Sequence, residues 1–316
     1  MAGKRAVVAI GGNSLIKDKM HQTVRDQYVA AGETCWHIAS MIQDGWDVAI
    51  GHGNGPQVGF ILRRSELAAH ELHEVPLDVC GADSQGAIGY ALQQNLQNDF
   101  RQMEMDKHAV TVVTQVEVAG DDPAFQNPTK PIGSYMDEAK AIQRRDEEGW
   151  AVMEDAGRGW RRVVPSPLPL RIVEEEAIGS LIADGFVVIT VGGGGIPVVA
   201  DEESNLRGVA AVIDKDYASS LLANRIGAEL FLISTAVERV ALNFGQPNQE
   251  WLDRMTLSQA RVYLDEGTHF AKGSMAPKIQ AVISYLERGG GEAIITNPES
   301  VEMALAGQTG TRVIPD

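Results

Sequence analysis

The chain has 316 residues, 43 acidic against 27 basic, a formal charge of −16, and 44% apolar side chains. That apolar share excludes a disordered chain. The acid excess excludes nucleic acid and anionic membranes as partners, because both need a basic face. The arginine pairs Arg63–Arg64, Arg144–Arg145 and Arg161–Arg162 sit among acids and form no stripe. At roughly 100–200 residues per domain, one large domain or two closely joined ones are expected. Cys35 and Cys80 form no C-x-x-C pair and read as buried free thiols, which fits a reducing cytoplasm. The apolar stretch after Lys4 and Arg5 stops at Gly11–Gly12, too short for a signal sequence. The uncharged run Phe186–Ala200 holds four glycines and Pro197, and falls short of the roughly 20 apolar residues of a membrane span.

In chain order, Ala6–Ile10 reads as a buried strand ending in Gly11-Gly12-Asn13-Ser14. A helix from about Thr23 to Gln43 follows, then a strand Asp47–Ile50 that again ends in glycines. Further strands are expected at Ala109–Thr114, Phe186–Val191, Leu230–Ser234 and Ala293–Ile295. Further helices are expected near Ser84–Arg101, Glu174–Asp184, Tyr217–Ile226, Leu257–Asp265 and Pro277–Glu287. Continuous apolar strands separated by helices predict a mostly parallel sheet covered on both faces. The segment from Val118 to about Pro169 breaks the rhythm, with prolines at 123, 128, 131, 165, 167 and 169 around a charged helical piece and Trp150 and Trp160. It reads as a small projecting insertion, a lid or a long surface excursion.

Ligands bind open α/β sheets at the carboxyl ends of the strands. Three such ends are glycine-rich here: Gly11-Gly12-Asn13, Gly51-His52-Gly53-Asn54-Gly55-Pro56 and Gly192–Gly195 followed by Ile196-Pro197. Glycine lets backbone approach a ligand and form anion-binding nests, and a helix starting just after adds its positive end. One such turn is usually only a turn, but three point to a phosphate or another small anion. Neither G-x-x-x-x-G-K-[ST] nor G-x-G-x-x-G occurs at these clusters, which disfavours a P-loop protein and a standard dinucleotide fold.

Only nine basic residues are lysines, and three occupy cramped contexts. Lys130 lies between Pro128 and Pro131, Lys215 between Asp214 and Asp216, and Lys278 directly after Pro277 at an expected helix start. Each alone reads as a solvated charge. Beside the glycine loops, the three look like point charges for a transferring phosphoryl group, chemistry that is mostly positioning and neutralisation.

The stretches A-I-G-G-N-S-L (9–15), G-H-G-N-G-P-Q-V-G (51–59), Q-V-E-V (115–118), D-P-A-F-Q-N-P-T-K-P-I-G (122–133), R-R-V-V-P-S-P-L-P (161–169), G-G-G-G-I-P-V (192–198), G-V-A-A-V-I-D-K-D (208–216), N-F-G-Q-P-N-Q (243–249) and F-A-K-G-S-M-A-P-K (270–278) come in this order. Together the sequence resembles the carbamate kinases of the amino-acid kinase superfamily over nearly its whole length. The resemblance implies a three-layer αβα sandwich with a mainly parallel, about eight-stranded sheet plus a small projecting subdomain, working as a homodimer. It implies ATP + carbamate ⇌ ADP + carbamoyl phosphate, with Mg²⁺ accompanying ATP or ADP and held mainly by the phosphates.

By position, residues 1–117 and 165–207 would hold carbamate or carbamoyl phosphate, 118–164 would be the lid-like subdomain, and 208–316 would hold the nucleotide. Gly11, Gly12, Asn13, Gly53, Asn54 and Gly55 would cradle the carbamoyl and phosphoryl groups. Lys130 would reach in from the insertion, while Lys215 and Lys278 neutralise phosphates, oriented by Asp216 and Asp214. Gly194, Ser234, Val237, Val240, Met275 and Pro277 would contact the nucleotide.

Carbamate is already an oxyanion, so its attack on phosphorus needs no general base, only alignment and relief of repulsion. The seven histidines are then free of a catalytic role. His70 and His73 read as a solvated face, whereas His52 is either part of a substrate loop or a histidine that orients backbone. Ile233-Ser234-Thr235-Ala236-Val237-Glu238 departs from the leucine-threonine and aspartate of many relatives, and Thr268-His269 is a smaller variation. Two other readings compete: a superfamily kinase acting on another acyl or nucleotide acceptor, and a non-catalytic nucleotide sensor on the same fold.

Overall fold

Alternating apolar runs and helices do build a parallel sheet covered on both faces. The computed structural model describes residues 4–12, 15, 16, 20–155, 157, 159–271 and 273–316. Its central sheet has eight strands, in spatial order Arg254–Thr256, Thr311–Ile314, Glu292–Thr296, Leu230–Ser234, Lys4–Ile10, Trp46–His52, Val187–Ile189 and Ala109–Thr111. Neighbours run parallel except Glu292–Thr296 beside Thr311–Ile314. Lys4–Ile10 sits in the middle, where the chain departs to one side for Trp46–His52 and to the other for Leu230–Ser234. The carboxyl ends of these three strands therefore open on one crevice.

Nine helices occur among the described residues: α1 (Val24–Gln43), α2 (Gly55–Ala68), α3 (Leu77–Gln102), α4 (Glu138–Glu148), α5 (Glu175–Ala183), α6 (Lys215–Arg225), α7 (Leu257–Asp265), α8 (Met275–Glu287) and α9 (Val301–Leu305). Lys4–Ile10 divides its side chains between two layers. Val7 and Ala9 join Leu221 and Leu222 of α6 and Val282 and Tyr285 of α8. Ala6, Val8 and Ile10 join Ile38 and Met41 of α1 and Leu92 and Leu96 of α3. With helices on both faces the strand has no solvent side, so it carries no polar alternation.

The expected strands and helices are present, with shifted ends. The Thr23 hydroxyl accepts from the Asp26 N–H at 3.2 Å and the Thr23 N–H donates back to Asp26 at 2.9 Å, a reciprocal cap that starts α1 where the sequence suggests. Helix α3 begins earlier than expected, directly after Pro76, whose fixed φ of −59° suits a helix entry. Helix α2 follows the second glycine loop, where the sequence gives no range for a helix; its proline occupies the first turn, where the missing N–H costs nothing.

The proline-rich insertion carries a three-stranded sheet, in order Lys130–Met136, Trp160–Val164, Val152–Glu154, together with α4. Lys130 pairs with Val164 and Ile132 with Arg162 across its first ladder. Ile132 and Val164 pack with Val58 of α2 and Leu77 and Cys80 of α3. A four-stranded sheet, Leu206–Gly208, Ile196–Ala200, Gln115–Val118 and Pro169–Ile172, joins this region to the sandwich. Cys35 and Cys80 are both buried and free. Among the described residues no helix is long and apolar enough to cross a membrane.

Candidate active site

A cleft of about 460 Å³ opens at the carboxyl ends of the three central strands. Its walls include Gly11, Gly12, Gly53, Asn54 and Gly55 on one side and Asp214, Lys215, Asp216, Pro277 and Lys278 on the other, with Lys130 from the insertion. The two glycine loops interlock: the Gly11 N–H donates to the Ser234 carbonyl and the Gly53 N–H to the Ile10 carbonyl, both at 3.0 Å. Those two amides are therefore taken by the scaffold. Gly53 serves the cleft chiefly by lacking a side chain, since a Cβ there would sit 3.4 Å from the Lys215 stem.

The third glycine run backs these loops. Gly193, Gly194 and Gly195 have φ of +66°, +93° and +90°, a region that L side chains avoid. A Cβ on Gly193 would collide with the Asn54 amide, and one on Gly194 with the Ile213 carbonyl. Asn54 is held from the other side by donating to the Ser84 hydroxyl at 2.8 Å. Gln85, 1% exposed, donates to the Thr114 and Gly192 carbonyls at 3.1 and 3.0 Å and accepts from the Thr114 N–H at 2.8 Å. It fixes the glycine run in place, yet in the sequence it is only one polar residue in a helix.

His52 is buried, and its Nδ1 donates to the Gly53 carbonyl at 3.0 Å. Burial pushes its pKa down to about 4, so the ring is neutral. It orients the backbone of the loop that carries Gly53. His70 and His73, which the sequence sets on a helix, lie beyond the end of α2 at Ala68, in the connection to α3, and are exposed.

The lysines meet two aspartates. Asp216, 2% exposed, receives Lys278 Nζ at 2.8 Å on one oxygen and Lys215 Nζ on the other. Asp214 caps α6, its Oδ1 accepting the Asp216 N–H at 2.9 Å, while its Oδ2 receives Lys130 Nζ at 2.6 Å. Burial works against the Asp216 carboxylate, but the two ammonium groups outweigh it and hold the acid far below the ordinary range. Burial lowers the Lys215 pKa, with the like charge of Lys278 adding to it. For Lys278 burial pulls the same way, but Asp216 prevails and the pKa lies above the ordinary value.

Helices α2 and α8 also start at this cleft, and neither Asn54 nor Ser274, their N-caps, makes a side-chain capping bond. Their positive dipole ends add to the lysines, although each first turn includes a proline without an N–H. The result is a preorganised anion site in an acidic protein.

The other expected nucleotide contacts lie around this cleft rather than in its lining. Ser234 is buried with an unpartnered hydroxyl, and the chain lines the cleft instead through Thr235 and Ala236. Val240 is fully buried in the core and Val237 is half-buried. Met275 opens α8 and packs partly against the core, and Gly193 rather than Gly194 faces the opening. Asn13 lies outside the described residues. Thr235 and Ala236, inside the stretch 234–243 that the resemblance sets against the adenine, do line the cleft, and Gly273 and Ser274 line it without having been given a role.

The chain belongs to the amino acid kinase family, whose model matches residues 4–297. Within the family its similarity runs to carbamate kinases and carbamate kinase-like proteins. It is 46% identical to the carbamate kinase of Pyrococcus furiosus over 99% of this chain and 100% of that one. It is 49% identical to a carbamate kinase-like protein of Escherichia coli over 98% of each. The solved structure of the Giardia lamblia carbamate kinase bound to AMP-PNP superposes with a TM-score of 0.92 at 40% identity, covering 100% of this chain and 99% of that one.

Proposed function

We propose that this protein is a carbamate kinase, catalysing ATP + carbamate ⇌ ADP + carbamoyl phosphate. The observation that carries the reading is the pair of lysines gathered on buried Asp216, facing Gly12 and Asn54 across the cleft. In the forward direction a carbamate oxygen bonds to the γ-phosphorus, the bond from that phosphorus to the β–γ bridging oxygen breaks, and ADP leaves with the electron pair. No proton moves, because the nucleophile is already an anion. Lys215 and Lys278 neutralise the phosphate oxygens, and Lys130 takes the developing charge on the transferring group.

Gly11, Gly12, Asn13, Gly53, Asn54 and Gly55 surround the carbamoyl end in this reading. Thr235, Ala236 and Pro277 flank the nucleotide, backed by Ser234, Val237, Val240, Met275 and Gly194. Residues 1–117 and 165–207, 118–164 and 208–316 then divide into carbamate lobe, lid and nucleotide lobe. Mg²⁺ suits a donor set in which both site aspartates already pair with lysines, since the nucleotide phosphates would hold the ion. The metal would supply charge neutralisation between the phosphates. We further propose a cytoplasmic homodimer run toward ATP synthesis, because carbamoyl phosphate is a mixed anhydride that readily gives up its phosphoryl group.

The test is ATP formation from ADP and carbamoyl phosphate. Robust turnover is expected, and ATP formed only from another acyl phosphate, such as acetylglutamyl phosphate, would overturn the reading.

A further inference from the structure

A second cavity, about 270 Å³, lies between α2 and the insertion's sheet. Its walls carry four cations, Arg63, Lys140, Arg144 and Arg162, against a single acid, Glu66. Three of these cations are engaged: Arg63 pairs with Glu66, Arg144 with Glu66 and Glu148, and Lys140 bonds Gln143. Arg162 is different. Its guanidinium lies 4.6 Å from the Trp150 ring centre, and among the described residues no carboxylate reaches it within ion-pair distance. Burial lowers its pKa, with Glu66, Glu148 and Glu74 opposing only from longer range. A stacked guanidinium offers its edge donors as a planar fork that fits a carboxylate or a phosphate.

The ladder gives this cavity a connection to the cleft. Ile132 pairs with Arg162 and Lys130 pairs with Val164, so all four residues share one face of the insertion's sheet. Lys130 reaches the phosphoryl cleft at one end of that face, and Arg162 reaches the second cavity at the other. Ile132 lines both. Between them the insertion touches the body backbone to backbone: a Cβ on Gly59 of α2 would lie 3.1 Å from the Gly133 Cα. A neighbouring cavity shares Arg144, Trp150 and Arg162 but sets four acids, Glu66, Glu74, Asp78 and Glu148, against those two cations, so its balance disfavours anions.

We propose that the cavity walled by Arg162, Arg63, Lys140 and Trp150 binds a small organic oxyanion, a carboxylate or phosphate, separate from the phosphoryl-transfer cleft. An anion there joins Arg162 of the insertion to Arg63 of α2 and holds the sheet that carries Lys130 against the body. The binding claim stands apart from the proposed reaction, and its test reads no turnover.

Succinate and inorganic phosphate serve as separate probes, titrated against the tryptophan emission of the full chain, with Trp150→Phe identifying the local signal. Lys278→Ala separates binding in this cavity from binding at the cleft. Saturable quenching by at least one probe is expected in the wild type and in Lys278→Ala. Arg162→Gln should weaken it about tenfold or more, the effect of losing a charge-assisted contact. The exposed variants Arg63→Gln and Lys140→Gln should each weaken it by about threefold without disturbing the fold. Amide exchange in Lys130–Met136 should slow at saturation in the wild type and stay unchanged in Arg162→Gln. A carboxylate source is assigned if succinate alone acts, and a phosphate source if phosphate alone does. Quenching that survives Arg162→Gln, or is abolished by Lys278→Ala, overturns the proposal, as does the absence of saturation with both probes.

Discussion

Lys130 separates catalytic from structural roles more cleanly than any other residue of the cleft, so Lys130→Ala is the most informative substitution. Its side chain is 33% exposed and its partner Asp214 14%. A pair this open to solvent is worth about 0–1 kcal/mol to the fold. Its loss also leaves the α6 cap intact, because Asp214 still accepts the Asp216 N–H at 2.9 Å. Thermal unfolding should therefore shift by no more than about 2–4 °C. The rate should fall far more. Removing a charge partner of a transferring phosphoryl group costs on the order of 10²–10³-fold, about 2.7–4 kcal/mol at 1.36 kcal/mol per decade. The assay is ATP formation from ADP and carbamoyl phosphate with kcat and KM measured separately, beside a melting curve. The loss is expected in kcat. A change confined to KM would mean that Lys130 binds ground and transition states alike. A melting shift that accounts for the lost activity would make its role structural.

Lys278→Ala should lower turnover by on the order of 10²-fold or more. It should also move the alkaline limb of the pH–rate profile upward, because Lys215, lowered first by burial, is lowered further by the Lys278 charge; unchanged turnover would refute both statements. Gly193→Ala places a Cβ at φ +66° against the Asn54 amide, so it should cost about 1–3 kcal/mol in urea unfolding and at least tenfold in kcat/KM. Asp99, 8% exposed with an unpartnered Oδ2, has its pKa pushed up to about 6 by burial. The folded chain thus holds this proton more tightly than the unfolded chain, and stability is lost as pH rises from about 4 to about 6. Asp99→Asn should then stabilise the protein at pH 8 by up to about 3 kcal/mol and give no gain at pH 4, as read by urea titration at both pH values.

What the sequence revealed, and what it hid, divides along the range of the interactions involved. Strands buried on both faces announce themselves through unbroken apolar runs, Ala6–Ile10 and Leu230–Ile233. Cramped lysines are also visible, since Pro128, Pro131 and the two aspartates beside Lys215 are local neighbours. That one aspartate serves two of them is not local: Lys278 meets Asp216 across 62 residues. Gln85 escapes notice for the same reason, having meaning only beside a glycine run that arrives from elsewhere. Helix α2 overlaps the glycine loop itself, since Gly55-Pro56 already forms its first turn. That the Gly11 and Gly53 amides are taken by the Ser234 and Ile10 carbonyls is likewise invisible locally, because those partners lie on neighbouring strands.

The acid excess and the proposed phosphate chemistry belong to different length scales. At physiological salt the Debye length is about 8 Å, so surface carboxylates farther than that from the cleft contribute little to the potential a bound anion feels. Among the described residues that line the cleft the balance is three lysines against two aspartates, with three helix N-termini added. Lys215 and Lys278 have side chains only 11% and 14% exposed, so solvent screens them far less than it screens the acidic exterior. Asp216 cannot cancel them: one carboxylate is shared by two ammonium groups, and the surplus positive charge faces the cleft. A surface of net −16 repels polyanions whose charge spans many ångströms. A small phosphorylated substrate samples only the cleft, where the sign of the field is reversed.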